Sequence, residues 1–203
     1  MDWSDEFLAY LELKKSLFFR YIPKDAVLEY ISGALDLGYK GALEIENNEI
    51  RELYTAHAIQ IHYIETSAKI GSGMVRAEFE YDHRGRHKVF LYAAAIQELI
   101  NTTGSTEKQV EDLLLAHEWF HFLESERGFA YEQLPPLEVP GLFGRKRKVM
   151  IRQLSEIAAH AFVRGYQQLP VLPLFYDVQE LVKNGQLSEE ELVEEYKQFQ
   201  KYK

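Results

Sequence analysis

His117-Glu118-Trp119-Phe120-His121 carries two imidazoles four residues apart, with a carboxylate directly after the first. On an α-helix that spacing stacks His117 and His121 one above the other on the same face. Two imidazole nitrogens so placed can share one zinc ion. Glu118 points toward the same cleft, where it can take a proton from a water activated by the metal. The surroundings read as a helix. Thr106-Glu107-Lys108-Gln109 is a capping box that starts it. Val110, Leu113 and Leu114 fall in step with the two histidines, and Trp119, Phe120, Phe122 and Leu123 make the segment apolar nearly all round, which predicts a buried helix. Gly128 is the expected stop after Arg127. Burying two histidines and a glutamate is unfavourable through desolvation, and metal ligation offsets it. Core histidines bonded to backbone carbonyls are the plainer alternative.

A catalytic zinc takes three protein ligands and keeps a fourth position for water. The third is expected from a later segment, and Glu156 in Arg152–Phe162 is the best candidate. Ile151, Leu154, Ala158, Ala161 and Phe162 form an apolar stripe that predicts a helix running to about Tyr166 and ended by Pro170. His160, one turn after Glu156, shares its face. It is an alternative ligand, a hydrogen-bond support for a ligand, or a catalytic stabiliser of the transition state.

HExxH is the arrangement of zinc metallopeptidases. Together with Glu156-x-x-Ala159-x-x-Phe162 and the following Leu169-Pro170, the chain resembles the ImmA/IrrE family of small bacterial zinc metallopeptidases, a gluzincin-like group, over about residues 75–170. The resemblance implies that His117, His121 and Glu156 hold Zn2+ and that Glu118 is the catalytic base. Trp119-Phe120 stands where the family commonly has Leu-Gly, His160 where it has Asn or Asp, and the spacer between the two helices is long.

Upstream, residues 5–20 read as an amphipathic helix capped by Ser4, and Ala26–Leu37 as a second, capped by Asp25 and closed by Gly38. Three strands are expected, at 58–65, 75–81 and 88–92, with Gly71-Ser72-Gly73 and Asp82–His87 as the separators. They predict an antiparallel meander packed on the motif helix. The fold class expected is therefore α+β and zincin-like: a small antiparallel sheet, the HExxH helix, a ligand-bearing helix, and extra helices at both ends. One domain is expected over 1–203, divided into a helical part (1–55), a sheet and zinc-site core (56–170) and a helical tail (171–203). Zincins use an edge strand to bind the substrate backbone by strand addition.

Residues 129–149, broken by Pro135-Pro136, Pro140-Gly141 and Gly144, read as a loop over the cleft. The loop ends in the basic run Arg145-Lys146-Arg147-Lys148, read as solvated charge or as a patch for an acidic segment such as the chain's own tail. That tail opens on a capping box at Ser188 and predicts a short helix with Leu192, Tyr196 and Phe199 facing inward. His57, His62, His83 and His87 read as solvent-facing, and Arg127, Tyr131, Arg152 and Tyr166 as candidate carbonyl polarisers that are more simply structural.

At 203 residues, with 46 % hydrophobic and 13 % aromatic content, the chain can bury a core and is not of disordered composition. Net charge of −9 argues against a nucleic-acid partner. The acidic start Met1–Glu6, the lack of a long apolar run and the absence of cysteine make a cytoplasmic address, with no membrane partner, the expectation. The expected function is a zinc metallopeptidase, a hydrolase acting on a peptide or protein substrate. Two alternatives stay open: a non-catalytic zinc-binding interaction module, and a zinc hydrolase of non-peptide amides. The sequence carries no sign of oligomeric state.

Overall fold

The computed structural model describes residues 3–45, 49–70, 73–127, 133–141 and 145–203. Gly128 as a helix stop, Gly71-Ser72 as a separator, Gly144 as a breaker and Tyr131 as a polariser lie outside the described residues. The side chain of Arg127 does too. The chain is α+β, mostly helical, with small sheets. It divides into two compact units, residues 1–43 with 123–203, and residues 44–122.

In the first unit, α1 (Asp5–Lys14) starts where Ser4 Oγ accepts the Phe7 amide at 3.4 Å. It ends earlier than the apolar pattern suggests. The amides of Lys15 and Ser16 tighten back onto Glu12 and Leu13, and Ser16 Oγ accepts the Phe18 amide at 3.2 Å, which starts a separate turn. Helix α2 (Val27–Leu43) does not stop at Gly38 but runs through it. A Cβ at Gly38 would meet the Ala158 carbonyl oxygen at 2.0 Å and the Phe162 amide nitrogen at 2.7 Å. This glycine therefore lets two helix backbones touch, which no side chain would permit. The partner is α6 (Arg152–Gln167), whose Leu154, Ala158, Ala161 and Phe162 are buried as expected, with Ile157 buried beside them. Helices α7 (Leu174–Lys183) and α8 (Glu189–Phe199) complete the unit. Ser188 and Glu191 form the expected capping box, Leu192 and Phe199 are buried, and Tyr196 meets the Phe7 ring edge-on at 5.1 Å.

The segment read as an unbroken loop, 129–149, instead contains an antiparallel hairpin of β6 (Leu137–Pro140) and β7 (Lys146–Val149). Leu137 and Val139 are buried while Glu138 and Pro140 are exposed. That two-residue alternation was present in the sequence, but the prolines around it obscured it.

In the second unit, α3 (Ile50–Ala56) leads into β1 (Gln60–Ile64) through Ala58, held in the left-handed region at φ 54°. Strands β2 (Ala68–Ile70) and β3 (Gly73–Val75) pair with each other. Strands β4 (Ala77–Glu80) and β5 (Lys88–Tyr92) join β1 in a sheet of order β1-β5-β4. The expected antiparallel meander is thus corrected. β4 does pair antiparallel with β5, but β1 pairs parallel with it. The chain between β1 and β5 is long enough for the crossover that a parallel pair needs, and part of it is used in the β2–β3 hairpin. Two helices follow. Helix α4 (Ala93–Thr103) closes on Gly104 at φ 68°, and α5 (Glu107–Arg127) continues from the second unit into the first. No helix among the described residues is long and apolar enough to cross a membrane.

Candidate metal centre

Helix α5 begins as its capping box requires. The Thr106 amide donates to Gln109 Oε1 at 2.9 Å, and the Gln109 amide donates back to Thr106 Oγ1 at 3.3 Å. Its apolar surface is buried at Val110, Leu114, Leu115, Ala116, Trp119, Phe120 and Phe122. The helix is held to the sheet side by aromatic and polar contacts. Phe79 of β4 stacks on Phe122 at 5.5 Å, and the Tyr81 hydroxyl donates to the His121 carbonyl at 2.8 Å. Tyr54 of α3 is fully buried and donates to the Leu115 carbonyl at 2.8 Å.

His117 and His121, both half-buried, bring their Nε2 atoms to 3.2 Å from each other. Glu156 joins them: one ligand atom from each of the three residues lies within 4.8 Å of the others. Two nitrogens each ~2.05 Å from a tetrahedral ion are ~3.3 Å apart, so the imidazole pair has the separation that a shared cation imposes. The donor set, two imidazoles and a carboxylate, also fits a borderline metal ion such as a first-row divalent cation. His117, His121 and Glu156 therefore form a group that could hold a metal ion.

A contact missing from the sequence reading supports this approach of the two helices. Glu124 lies three residues after His121, is 7 % exposed, and accepts a 2.6 Å hydrogen bond from Ser155, the neighbour of Glu156. Its signal in the sequence was an acid at a position where a helix with this apolar face buries its side chains. Tyr81 was visible only as the end of an expected strand.

Glu118 is almost wholly buried, at 9 % exposure. Its carboxylate and Tyr81 both act, after burial itself, to push the Tyr54 hydroxyl well above its ordinary pKa. Glu118 and the two tyrosines thus share one electrostatic neighbourhood. His160 is placed beside Asp177 of α7, with Nε2 4.0 Å from the carboxylate and 12 % of its side chain exposed. It is not one of the three grouped ligands. Asp177 gave no signal in the sequence. Glu12 of α1, also unforeseen, is buried; its pKa is raised by burial first, against the lowering pull of Lys15, with Glu156 and Asp177 adding to the rise.

The remaining histidine candidates belong to no three-ligand group among the described residues. His57 and His83 are exposed, and His62 and His87 are partly so. His57 and His87 lie against the Phe122 ring, at 5.6 and 5.7 Å. Arg152 is exposed, with its guanidinium 3.6 Å from Glu156 Oε1, and Tyr166 stacks on Phe162 at 6.0 Å. Neither a family model nor a curated protein nor a solved structure matches the chain.

Proposed function

We propose that this chain is a zinc-dependent metallopeptidase of zincin-like fold, related to the ImmA/IrrE family that its two motifs resemble. The observation that carries the reading is the group of His117, His121 and Glu156, with the two imidazole nitrogens 3.2 Å apart and all three ligand atoms within 4.8 Å. These three residues would hold the ion. A zinc ion there would supply Lewis acidity, lowering the pKa of water toward about 7 and polarising a carbonyl oxygen.

The chain's own residues supply the rest. Glu118, next to a ligand and almost buried, accepts a proton from the attacking water and delivers it to the leaving amine of a cleaved peptide bond. Burial keeps competing solvent away from that carboxylate. The Tyr81 and Ser155 hydrogen bonds fix the two helices whose side chains must converge. Zinc binding alone does not require a carboxylate at 118, which favours hydrolysis over a purely binding role. His160, beside Asp177, is the reading's candidate for a stabiliser of developing negative charge.

The test is a pair of measurements on purified protein. Wild type should bind one zinc equivalent per chain and cleave peptides. Glu118→Gln should keep the metal and lose turnover by about 10²–10⁴-fold. Wild-type turnover in that variant removes the assigned base, and a chain that binds no zinc removes the mechanism.

A further inference from the structure

The β6–β7 hairpin carries a feature that the metal centre does not use. Arg145, Lys146, Arg147 and Lys148 follow one another and all are exposed, in a chain whose net charge is −9. Lys146 pairs with Glu138 across the hairpin at 3.2 Å, with both side chains more than half exposed. Such a solvent-screened pair holds weakly and exchanges readily for another carboxylate. Arg145, Arg147 and Lys148 have no ion-pair partner among the described residues. The acidic tail does not supply one: Glu195 is engaged by Lys14 at 2.6 Å.

The backbone decides which edge of this hairpin is open. The Gly141 amide donates to the Arg145 carbonyl at 2.6 Å, so 141 and 145 are a hydrogen-bonded pair. Pairs alternate along an antiparallel ladder. Val139 with Arg147 is therefore hydrogen-bonded, while Pro140 with Lys146 and Glu138 with Lys148 are not. Residues of the latter kind turn their N–H and C=O groups outward. On β6 the outward position at 140 is proline, which has no N–H to offer. On β7 the outward groups belong to Lys146 and Lys148. The β6 edge thus keeps an outward donor only at Glu138, next to a proline that interrupts it, whereas the β7 edge has one at both Lys146 and Lys148 and is the edge lined by cations.

We infer that the outer edge of β7 docks an extended, acidic peptide segment as a third strand. Main-chain bonds to Lys146 and Lys148 would hold it, and the flanking cations would select carboxylates. Successive side chains of β7 point to opposite faces and the first three, Lys146, Arg147 and Lys148, are cationic, so the partner carries acidic residues clustered rather than strictly alternating. Only Met150 and Ile151 separate β7 from α6, the helix bearing Glu156. Resting on the peptidase reading, the inference gives the substrate its class: a segment acidic beside the cleaved bond. Lysines also guard edge strands against aggregation. Guarding alone predicts no preference for acidic strands.

The experiment measures binding on full-length Glu118→Gln protein, by fluorescence anisotropy, with a short glutamate-rich peptide as probe. Its glutamine counterpart, an alternately N-methylated version and a short single-stranded oligonucleotide serve as comparisons. The glutamate peptide should bind best and lose affinity in ~1 M salt, where screening acts within ~3 Å. Replacing Arg147 and Lys148 by Gln should weaken it by about tenfold. N-methylation should weaken it further with the charge unchanged. Equal binding of the glutamate and glutamine peptides overturns the inference. So does indifference to N-methylation, or tighter binding of the oligonucleotide. If the glutamate peptide binds as expected but wild type never cleaves it or any other peptide, the docking edge stands and the peptidase reading fails. If wild type cleaves peptides without regard to acidic residues, the peptidase reading stands and this inference fails.

Discussion

The Ser155 hydroxyl donates to the Glu124 carboxylate at 2.6 Å, joining the two helices that carry the candidate ligands. Glu124 is one turn beyond His121 on α5, and Ser155 directly precedes Glu156 on α6. Carboxylate hydrogen bonds of this kind contribute ~1.5–3 kcal/mol when buried. Ser155→Ala should therefore lower the unfolding free energy of the metal-free protein by about that amount, read from the shift in urea midpoint. It should also weaken zinc binding by about tenfold, because the bond helps set where Glu156 stands. Unchanged metal affinity in a destabilised variant would limit the contact to a structural role.

Gly38 and Gly33 lie in the same helix and should respond oppositely to alanine. At Gly38 a methyl group would stand 2.0 Å from the Ala158 carbonyl oxygen, and backbone cannot rotate away as a side chain can. Gly38→Ala should cost about 3 kcal/mol. At Gly33 the nearest atom is Leu134 Cδ2 at 3.6 Å, an ordinary contact. Gly33→Ala should be neutral or stabilising by up to about 1 kcal/mol through helix propensity. Thermal denaturation of the two variants side by side checks the contrast.

Metal removal should be visible as lost stability. At free zinc ~100 times its Kd, binding to the folded state adds ~2.7 kcal/mol, and a chelator should remove it. Calorimetry with and without chelator measures the shift. His121→Ala should show almost none, since it lacks one of the three donors.

Alkaline pH should destabilise the fold through its buried tyrosines. Burial, followed by the Glu6 carboxylate, holds the Tyr39 hydroxyl up at about 12, and burial raises Tyr54 well above its ordinary range. In the unfolded chain both ionise near pH ~10. As pH rises through that value the native state keeps protons that the unfolded state releases, so the slope of stability with pH is negative. The stability gained from these raised pKa values is present below pH ~10 and is lost as pH rises through the native values, about 12 for Tyr39. Urea midpoints across this range should fall, and Tyr54→Phe should make the fall shallower at the expense of about 1 kcal/mol at neutral pH.

Much of the local structure was legible because it depends on neighbours in the chain. The capping boxes at Thr106 and Ser188 and the apolar stripes of α5, α6 and α8 all follow from short-range spacing. Errors arose where a distant contact overrode a local signal. Gly38 reads as a helix stop until α6 is seen lying against it. The 137–140 alternation reads as loop because prolines dominate the local pattern, yet Pro135 and Pro136 precede the strand and Pro140 sits at its end, where an edge strand accepts a proline. Strand order was misread because alternation says which residues form a strand and nothing about its neighbour.

The sequence alone determined that His117 and His121 share one helix face with Glu118 beside them, since a periodicity of 3.6 residues per turn requires nothing beyond the helix itself. Only the tertiary structure decided that Glu156 joins them, because helices separated by the whole 128–151 segment meet through long-range packing. The same packing chose Glu124, Ser155 and Tyr81 as contacts of the helices that carry the candidate ligands, and turned a proline-rich stretch into a hairpin with a cationic strand. Such contacts are set by which surfaces exclude water together, and no local window of residues contains that information.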